Sequence, residues 1–270
     1  MIHCQLSKQL QGASGIFDLN IEAQFPAGTF TILFGESGAG KTSLLRMIAG
    51  LMTPDHGLIT SNGQVWFDSA KKIHLKPQLR KVAFVFQDQG LFPNMTVRKN
   101  LEFAQRNANQ NKLIDEIIEL FELGDLQHQR PATLSGGQKQ KVALARSIIN
   151  QPNILLLDEP LSALDQRTRR MLQEYIQKAH REFKLTTIMV SHDLSEIHKI
   201  TDRVLKLEEG VISEVTVETA FGETNKLIRG SIVSTEVEGE KIKLEIIVSR
   251  EAYERLGKRS RDDDEIRICK

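Results

Sequence analysis

One run of residues constrains this chain more than any other. Phe30-Thr31-Ile32-Leu33-Phe34 leads directly into Gly35-Glu36-Ser37-Gly38-Ala39-Gly40-Lys41-Thr42. A short apolar run with no alternation reads as a strand covered on both faces. The glycines that follow let backbone N–H groups curl around an anion without side-chain interference. A helix over Thr42–Ala49 then adds its positive dipole end. Every fixed position of GxxxxGK[ST] is met, and a chance match is on the order of one in a hundred at ordinary glycine frequency. A strand, a phosphate-binding loop and a helix in that order predict a mostly parallel α/β sheet. Lys41 can reach the β- and γ-phosphates of a nucleotide, and the Thr42 hydroxyl can ligate Mg²⁺.

Three more apolar runs end on polar residues. Val82-Ala83-Phe84-Val85-Phe86 ends at Gln87, Ile154-Leu155-Leu156-Leu157 at Asp158-Glu159, and Thr186-Thr187-Ile188-Met189-Val190 at Ser191-His192-Asp193. Taken singly, Gln87 is either a strand cap or a contact to metal or water, and a lone histidine is usually structural. Four polar features at the carboxyl ends of four apolar strands match the crevice rule for open α/β sheets. Adjacent carboxylates closing a buried strand suit a metal ion and a polarised water. Leu134-Ser135-Gly136-Gly137-Gln138 opens a further helix through Ile149, and its hydroxyl and glycines suit a second anion.

The remaining segments frame these features. Residues 2–34 read as strands. Asn62-Gly63 between Leu58-Ile59 and Val65-Trp66-Phe67 reads as a hairpin of a small antiparallel sheet, with Trp66 in its core. From Val97 to Gln129 the pattern is helical. Leu113, Ile114, Ile117, Ile118 and Phe121 form one face, and Gly124 is the expected stop. A charged helix over about Gln166–Phe183 and a hairpin over residues 204–212 follow. After about residue 222 the chain alternates like small strands.

The bulk properties exclude several functional classes. A net charge of +1 gives no strong pull toward nucleic acid or anionic lipid. No apolar run approaches the roughly 18 residues of a membrane-spanning helix, and no signal-peptide pattern opens the chain. Cys4 and Cys269, without a CxxC or histidine pattern, read as reduced thiols. The expectation is a cytoplasmic protein that acts at a membrane only through other chains.

With Gly35–Thr42, Gln87, Leu134–Gln138, Ile154–Glu159, Ser162–Asp165 and His192 in that order, roughly residues 2–220 resemble an ATP-binding cassette (ABC) ATPase subunit. The resemblance implies a P-loop NTPase core with an antiparallel β subdomain and an inserted helical subdomain, followed by a small C-terminal β appendage. The cassette would occupy residues 1–222, its helical subdomain about 88–152, and the appendage 223–270. Gly35, Glu36, Ser37, Gly38, Ala39, Gly40, Lys41, Thr42 and Ser43 would bind ATP phosphates. Asp158 would hold Mg²⁺ with Thr42 and Gln87, and Glu159 would orient the attacking water. Gln87 and His192 would sense the γ-phosphate. Ser135, Gly137, Gln138 and Asp165 would serve the ATP of the other subunit in a homodimer with shared sites. The family's adenine-stacking ring has Phe17 as its nearest candidate here.

Within the family, Val85-Phe86-Gln87-Asp88-Gln89-Gly90-Leu91-Phe92-Pro93 and the segment Asn62–Pro77 look similar to molybdate importer ATPases. The tail 226–270 loosely resembles one copy of their oxyanion-binding β module. The resemblance implies an ATP-hydrolysing importer subunit at the cytoplasmic face of the inner membrane. Its partners would be transmembrane permease subunits, docked around residues 87–130, and an extracytoplasmic solute-binding protein. It implies no nucleic-acid partner. Importers of iron, sulfate or polyamine share much of the same loop. Soluble cassette ATPases are the remaining alternative, disfavoured by a single cassette and by the absence of heptads between residues 43 and 133.

Overall fold

The computed structural model describes residues 1–12, 15–86, 90–105, 111–162, 164–191, 201–216, 230–238 and 241–248. Residues Met1–Val217 form one compact unit and Glu218–Lys270 a second.

The first unit is built on two sheets. Strands β1 (Ile2–Gly12) and β2 (Gly15–Phe25) pair antiparallel along their whole length. They join β4 (His56–Ser61), β5 (Gln64–Asp68) and β6 (Ile73–His74) in the order β2-β1-β4-β5-β6. Asn62 and Gly63 both take positive φ at the β4–β5 turn, as the Asn-Gly pair predicts. In β2 the buried residues Leu19, Ile21, Ala23 and Phe25 alternate with exposed ones, so one face turns inward.

The second sheet holds β3 (Phe30–Phe34), β7 (Val82–Val85), β8 (Ile154–Asp158), β9 (Thr186–Val190), β10 (Arg203–Glu208) and β11 (Val211–Val215). Its order is β11-β10-β3-β9-β8-β7, parallel throughout except for β11. All residues of β3, β8 and β9 are buried, as expected for strands covered on both faces. Helix α1 (Lys41–Ala49) buries Leu44, Leu45, Met47, Ile48 and Ala49 in a core shared with both sheets. Burying each larger side chain contributes about 1.5–3 kcal/mol.

Arg80 is the exception in that core. It is 2% exposed, and its guanidinium donates to Met47 O (2.9 Å) and Ile48 O (2.8 Å) at the end of α1. It also donates to Leu75 O (3.0 Å) and Trp66 O (3.3 Å), and it lies 5.5 Å from the centre of the Trp66 ring. A cation among carbonyls at a helix C-terminus is favourably placed. Burial still pushes its pKa down to about 10.

The helical block comprises α2 (Val97–Phe103), α3 (Asn111–Leu120) and α4 (Gly136–Ile148). Its helices are shorter than the periodicity predicts. α3 ends at Leu120, and Glu122, not Gly124, takes the left-handed conformation after it (φ 45°). Gly124 instead begins a 3₁₀ turn, Gly124–Leu126. Buried Asn100 holds the preceding loop, accepting from Phe92 N and donating to Phe92, Met95 and Thr96 carbonyls. Helix α5 (Gln166–Glu182) follows β8. In the second unit, β12 (Gly230–Glu238) and β13 (Lys241–Val248) form an antiparallel pair with one register shift between Ile232 and Ser234.

Candidate functional site

The registers align the carboxyl ends of three central strands. Leu33 of β3 and Asp158 of β8 both stand opposite Val190 of β9. Strands are about 4.8 Å apart, so Asp158 lies roughly 10 Å from the end of β3. The loop after β3 spans that gap and brings Thr42 Oγ1 to Asp158 Oδ1 at 2.7 Å.

The loop requires its first glycine. Gly35 has φ 147°, and a Cβ there would lie 2.1 Å from the Leu207 carbonyl oxygen of β10. No other residue fits without moving that strand. Lys41 is buried, and its Nζ turns back to donate to Gly35 O (2.8 Å) and Glu36 O (2.7 Å). Burial lowers its pKa, while the Glu159 and Asp158 carboxylates hold it up. Glu36, Ser37 and Gly38 are exposed, and Ala39, Gly40 and Ser43 are partly so. Gly40 begins α1 without a side-chain cap, whereas α4 and α5 are capped by Ser135 and Asp165. The first-turn N–H groups of α1 therefore face the loop with no side-chain acceptor and are open to an anion.

Asp158 is buried, and burial raises its pKa against the Thr42 hydrogen bond and the Arg46 charge. A buried carboxylate oxygen beside a hydroxyl is a donor pair of the kind Mg²⁺ takes, completed by phosphate oxygens and water. Glu159 is half-buried and has φ 49°. Left-handed non-glycine residues such as Asn62 and Glu209 sit in hairpin turns, but Glu159 directly follows a buried strand. Its carbonyl accepts from Ser162 Oγ (2.9 Å) and Ser162 N (3.3 Å), which holds this strained turn.

Ser135, Gly137, Gln138 and Asp165 meet in a separate cluster at the starts of α4 and α5. The Gln138 backbone donates to Ser135 Oγ (3.3 Å), and Ser135 N donates to Gln138 Oε1 (2.9 Å), a full capping box. Asp165 accepts from Thr168 N (3.0 Å) and Thr168 Oγ1 (2.6 Å). Both hydrogen bonds hold its carboxyl below the usual carboxylate range. Ser135 and Asp165 are exposed. Gln87 and His192 lie outside the described residues. Phe17 pairs with Leu10 and is partly buried; on the same face, Leu10 and Leu19 press on Gly40, the last glycine of the loop.

Sequence reasoning missed three residues at this end of the molecule. Arg46 reaches Asp158 only through the turn of α1, Arg146 donates to Gly90 O (2.9 Å), and Thr168 joins Asp165 to Gly137. Arg46 and Arg146 belong to no local pattern, and the link of Thr168 to Gly137 joins elements distant in sequence, although its bond to Asp165 is a local helix cap.

Comparison with known proteins places these features in context. A family model described as ABC transporter matches residues 19–162, more than half of the chain. Molybdenum import ATP-binding protein ModC of Brucella abortus (strain 2308) is 38% identical over 247 residues, covering 90% of this chain and 66% of that protein. The protein of the same name from Escherichia coli (strain UTI89 / UPEC) is 41% identical over 216 residues, 80% of this chain and 59% of its own. The chain thus spans somewhat under two thirds of the length of these relatives. A solved dimeric ATP-binding cassette in a post-hydrolysis state, bound to ADP and Pi, aligns with a TM-score of 0.67. That alignment has 28% identity and covers 80% of this chain and 99% of the other.

Proposed function

The chain belongs to the ABC transporter family, and on that premise we propose that it is the ATP-hydrolysing subunit of an importer for molybdate or a related oxyanion. One observation carries the ATPase reading. Thr42 is held on Asp158 at 2.7 Å, at the foot of a loop whose lysine and uncapped helix start converge on the same space. The named cargo of its relatives carries the molybdate reading.

In this reading the loop Gly35–Ser43 wraps the triphosphate, and Lys41 exchanges its two carbonyl partners for phosphate oxygens. Thr42 and Asp158 would hold Mg²⁺, with Gln87 proposed as a further ligand, and the ion would supply neutralisation of phosphate charge. Glu159 orients and polarises the attacking water, and His192 contacts the γ-phosphate. Catalysis is positioning and charge stabilisation of phosphoryl transfer. Ser135, Gly137, Gln138 and Asp165 act on the nucleotide of a second copy, since the first loop already surrounds one triphosphate. A head-to-tail homodimer with two shared sites gives each cluster its own phosphate. The dimeric cassette among the structural relatives supports this arrangement.

We assign residues 1–222 to the cassette, about 88–152 to its helical subdomain, and 223–270 to a β appendage read as part of an oxyanion-binding module. No helix among the described residues is long and apolar enough to cross a membrane; in this reading permease subunits supply the membrane part and a solute-binding protein the capture step. A docking face is at hand in the helical block. Phe92 and Phe103 are 37% and 60% exposed with ring centres 4.5 Å apart, and Arg146 lies over the Phe92 ring. The protein then sits peripherally on the cytoplasmic face of the inner membrane.

The test is ATPase activity after reconstitution with the permease and solute-binding protein in vesicles. Molybdate should stimulate hydrolysis, and sulfate or iron should not. Equal stimulation by sulfate or iron would remove the cargo assignment but keep the ATPase. No hydrolysis with any partner or solute would remove both.

A further inference from the structure

Gly137 lies inside α4 and does not take positive φ, so backbone freedom does not explain its glycine. A side chain does. A Cβ on Gly137 would lie 2.2 Å from Thr168 Cγ2. Thr168 cannot turn that methyl aside, because its two Cβ substituents are both engaged. The hydroxyl donates to Asp165 Oδ2 at 2.6 Å while Thr168 N donates to Asp165 Oδ1 at 3.0 Å. Two separate contacts lie on the residues before Asp165. Leu164 O accepts from Arg169 Nη2 (3.3 Å), and Ser162 bonds the Glu159 carbonyl through both N and Oγ. One threonine thus ties the opening of α4 to Asp165 at the opening of α5.

We propose that Thr168 is a positioning residue: its methyl seats Gly137 and its hydroxyl seats Asp165, so the starts of α4 and α5 move as one body. The proposal rests on the reading above that Ser135 and Gly137 serve the partner's nucleotide. Engagement of that nucleotide would then fix Asp165 and the start of α5 with it. The physical content is a contact between two elements that a single methyl group controls.

A suppressor experiment tests it. All variants carry Glu159→Gln, and two quantities are measured: the ATP concentration for half-maximal dimer formation by sedimentation, and ADP affinity of the monomer. Gly137→Ala should raise the ATP requirement about tenfold or more, because the added methyl has no space while Thr168 is pinned. Adding Thr168→Ser deletes Cγ2 but keeps the hydroxyl on Asp165, and should bring the requirement back to within about twofold of the parent. Failure of Thr168→Ser to suppress Gly137→Ala would overturn the joint and leave the shared-site reading intact. If Gly137→Ala weakens monomer ADP binding as much as dimerisation, the shared-site reading itself fails. Should Gly137→Ala not fold, Thr168→Val and Thr168→Ser decide. Val keeps the methyl and loses the bond to Asp165, so it should raise the ATP requirement well above that of Ser. Equal behaviour of the two would overturn the proposal.

Discussion

Asp158 shows what burying one carboxylate does to stability. Its pKa lies above the ordinary 3.8, chiefly through burial. A carboxyl whose folded pKa exceeds its unfolded value adds stability below the unfolded pKa and loses it as pH rises through the folded one. At neutral pH without a cation, the folded chain therefore holds a charge that burial disfavours. Asp158→Asn removes the charge and keeps an oxygen to accept from Thr42. The metal-free variant should unfold at a temperature no lower than the parent at pH 8, gaining up to about 1 kcal/mol, and the gain should vanish in acid below the ordinary carboxylate pKa. Its hydrolysis should be lost. A calorimetric midpoint below the parent's at pH 8 would contradict this account. The pairing of Thr42 with Asp158 was legible from two separate motifs, since each ended an apolar strand. The left-handed backbone at Glu159 was not, because φ there is imposed by the turn that Ser162 closes.

Among elements, α1 depends on a residue far from its sequence. Arg80 satisfies the carbonyls of Met47 and Ile48 at the helix end while bonding to Trp66 of the antiparallel sheet and to Leu75 just after β6. Arg80→Met should keep the volume but strand those carbonyls, costing about 2–4 kcal/mol. Arg80→Lys should recover little, because one ammonium cannot span carbonyls on three segments. Urea unfolding measures both, and a loss below about 1 kcal/mol for Met would show that water replaces the guanidinium. The strands were readable because β3, β8 and β9 are uninterrupted apolar runs between turn residues, which is what burial on both faces demands. The α3 boundary was less so. Leu113, Ile114, Ile117 and Ile118 set its face, but buried Phe121 and Leu123 continue the apolar spacing past the last helical residue. Packing against the core, not helical period, keeps those two residues apolar.

At the scale of the whole molecule, the proposed reading gives the uncapped start of α1 and the capped start of α4 to different nucleotides. Lys41, Thr42 and Asp158 are bonded to one another or to the loop, while Ser135, Gln138, Asp165 and Thr168 bond among themselves at the starts of α4 and α5. Two complete anion clusters in one chain make sense if closure of two copies brings the exposed cluster of each onto the loop of the other. Glu159→Gln should then lower hydrolysis about a hundredfold or more and, with ATP held but not consumed, accumulate as a dimer. A Glu159→Gln chain that stays monomeric at saturating ATP and Mg²⁺ would remove the shared site. Ser135→Arg probes the other half. Ser135 is exposed at the mouth of α4, so a long cation there should fold normally and leave ATP binding to the monomer within about twofold of the parent. It should abolish dimer closure and hydrolysis together, since it fills the space the partner's phosphates need. Mixing it with a Lys41→Ala chain then gives a sharper reading. The pair can build one site in which neither defect is present, formed by the loop of the Ser135→Arg chain and the α4 start of the Lys41→Ala chain. That site alone would keep both its phosphate loop and its partner's serine. Partial recovery of hydrolysis in the mixture, absent from either chain alone, is the outcome that only a site shared between two copies produces.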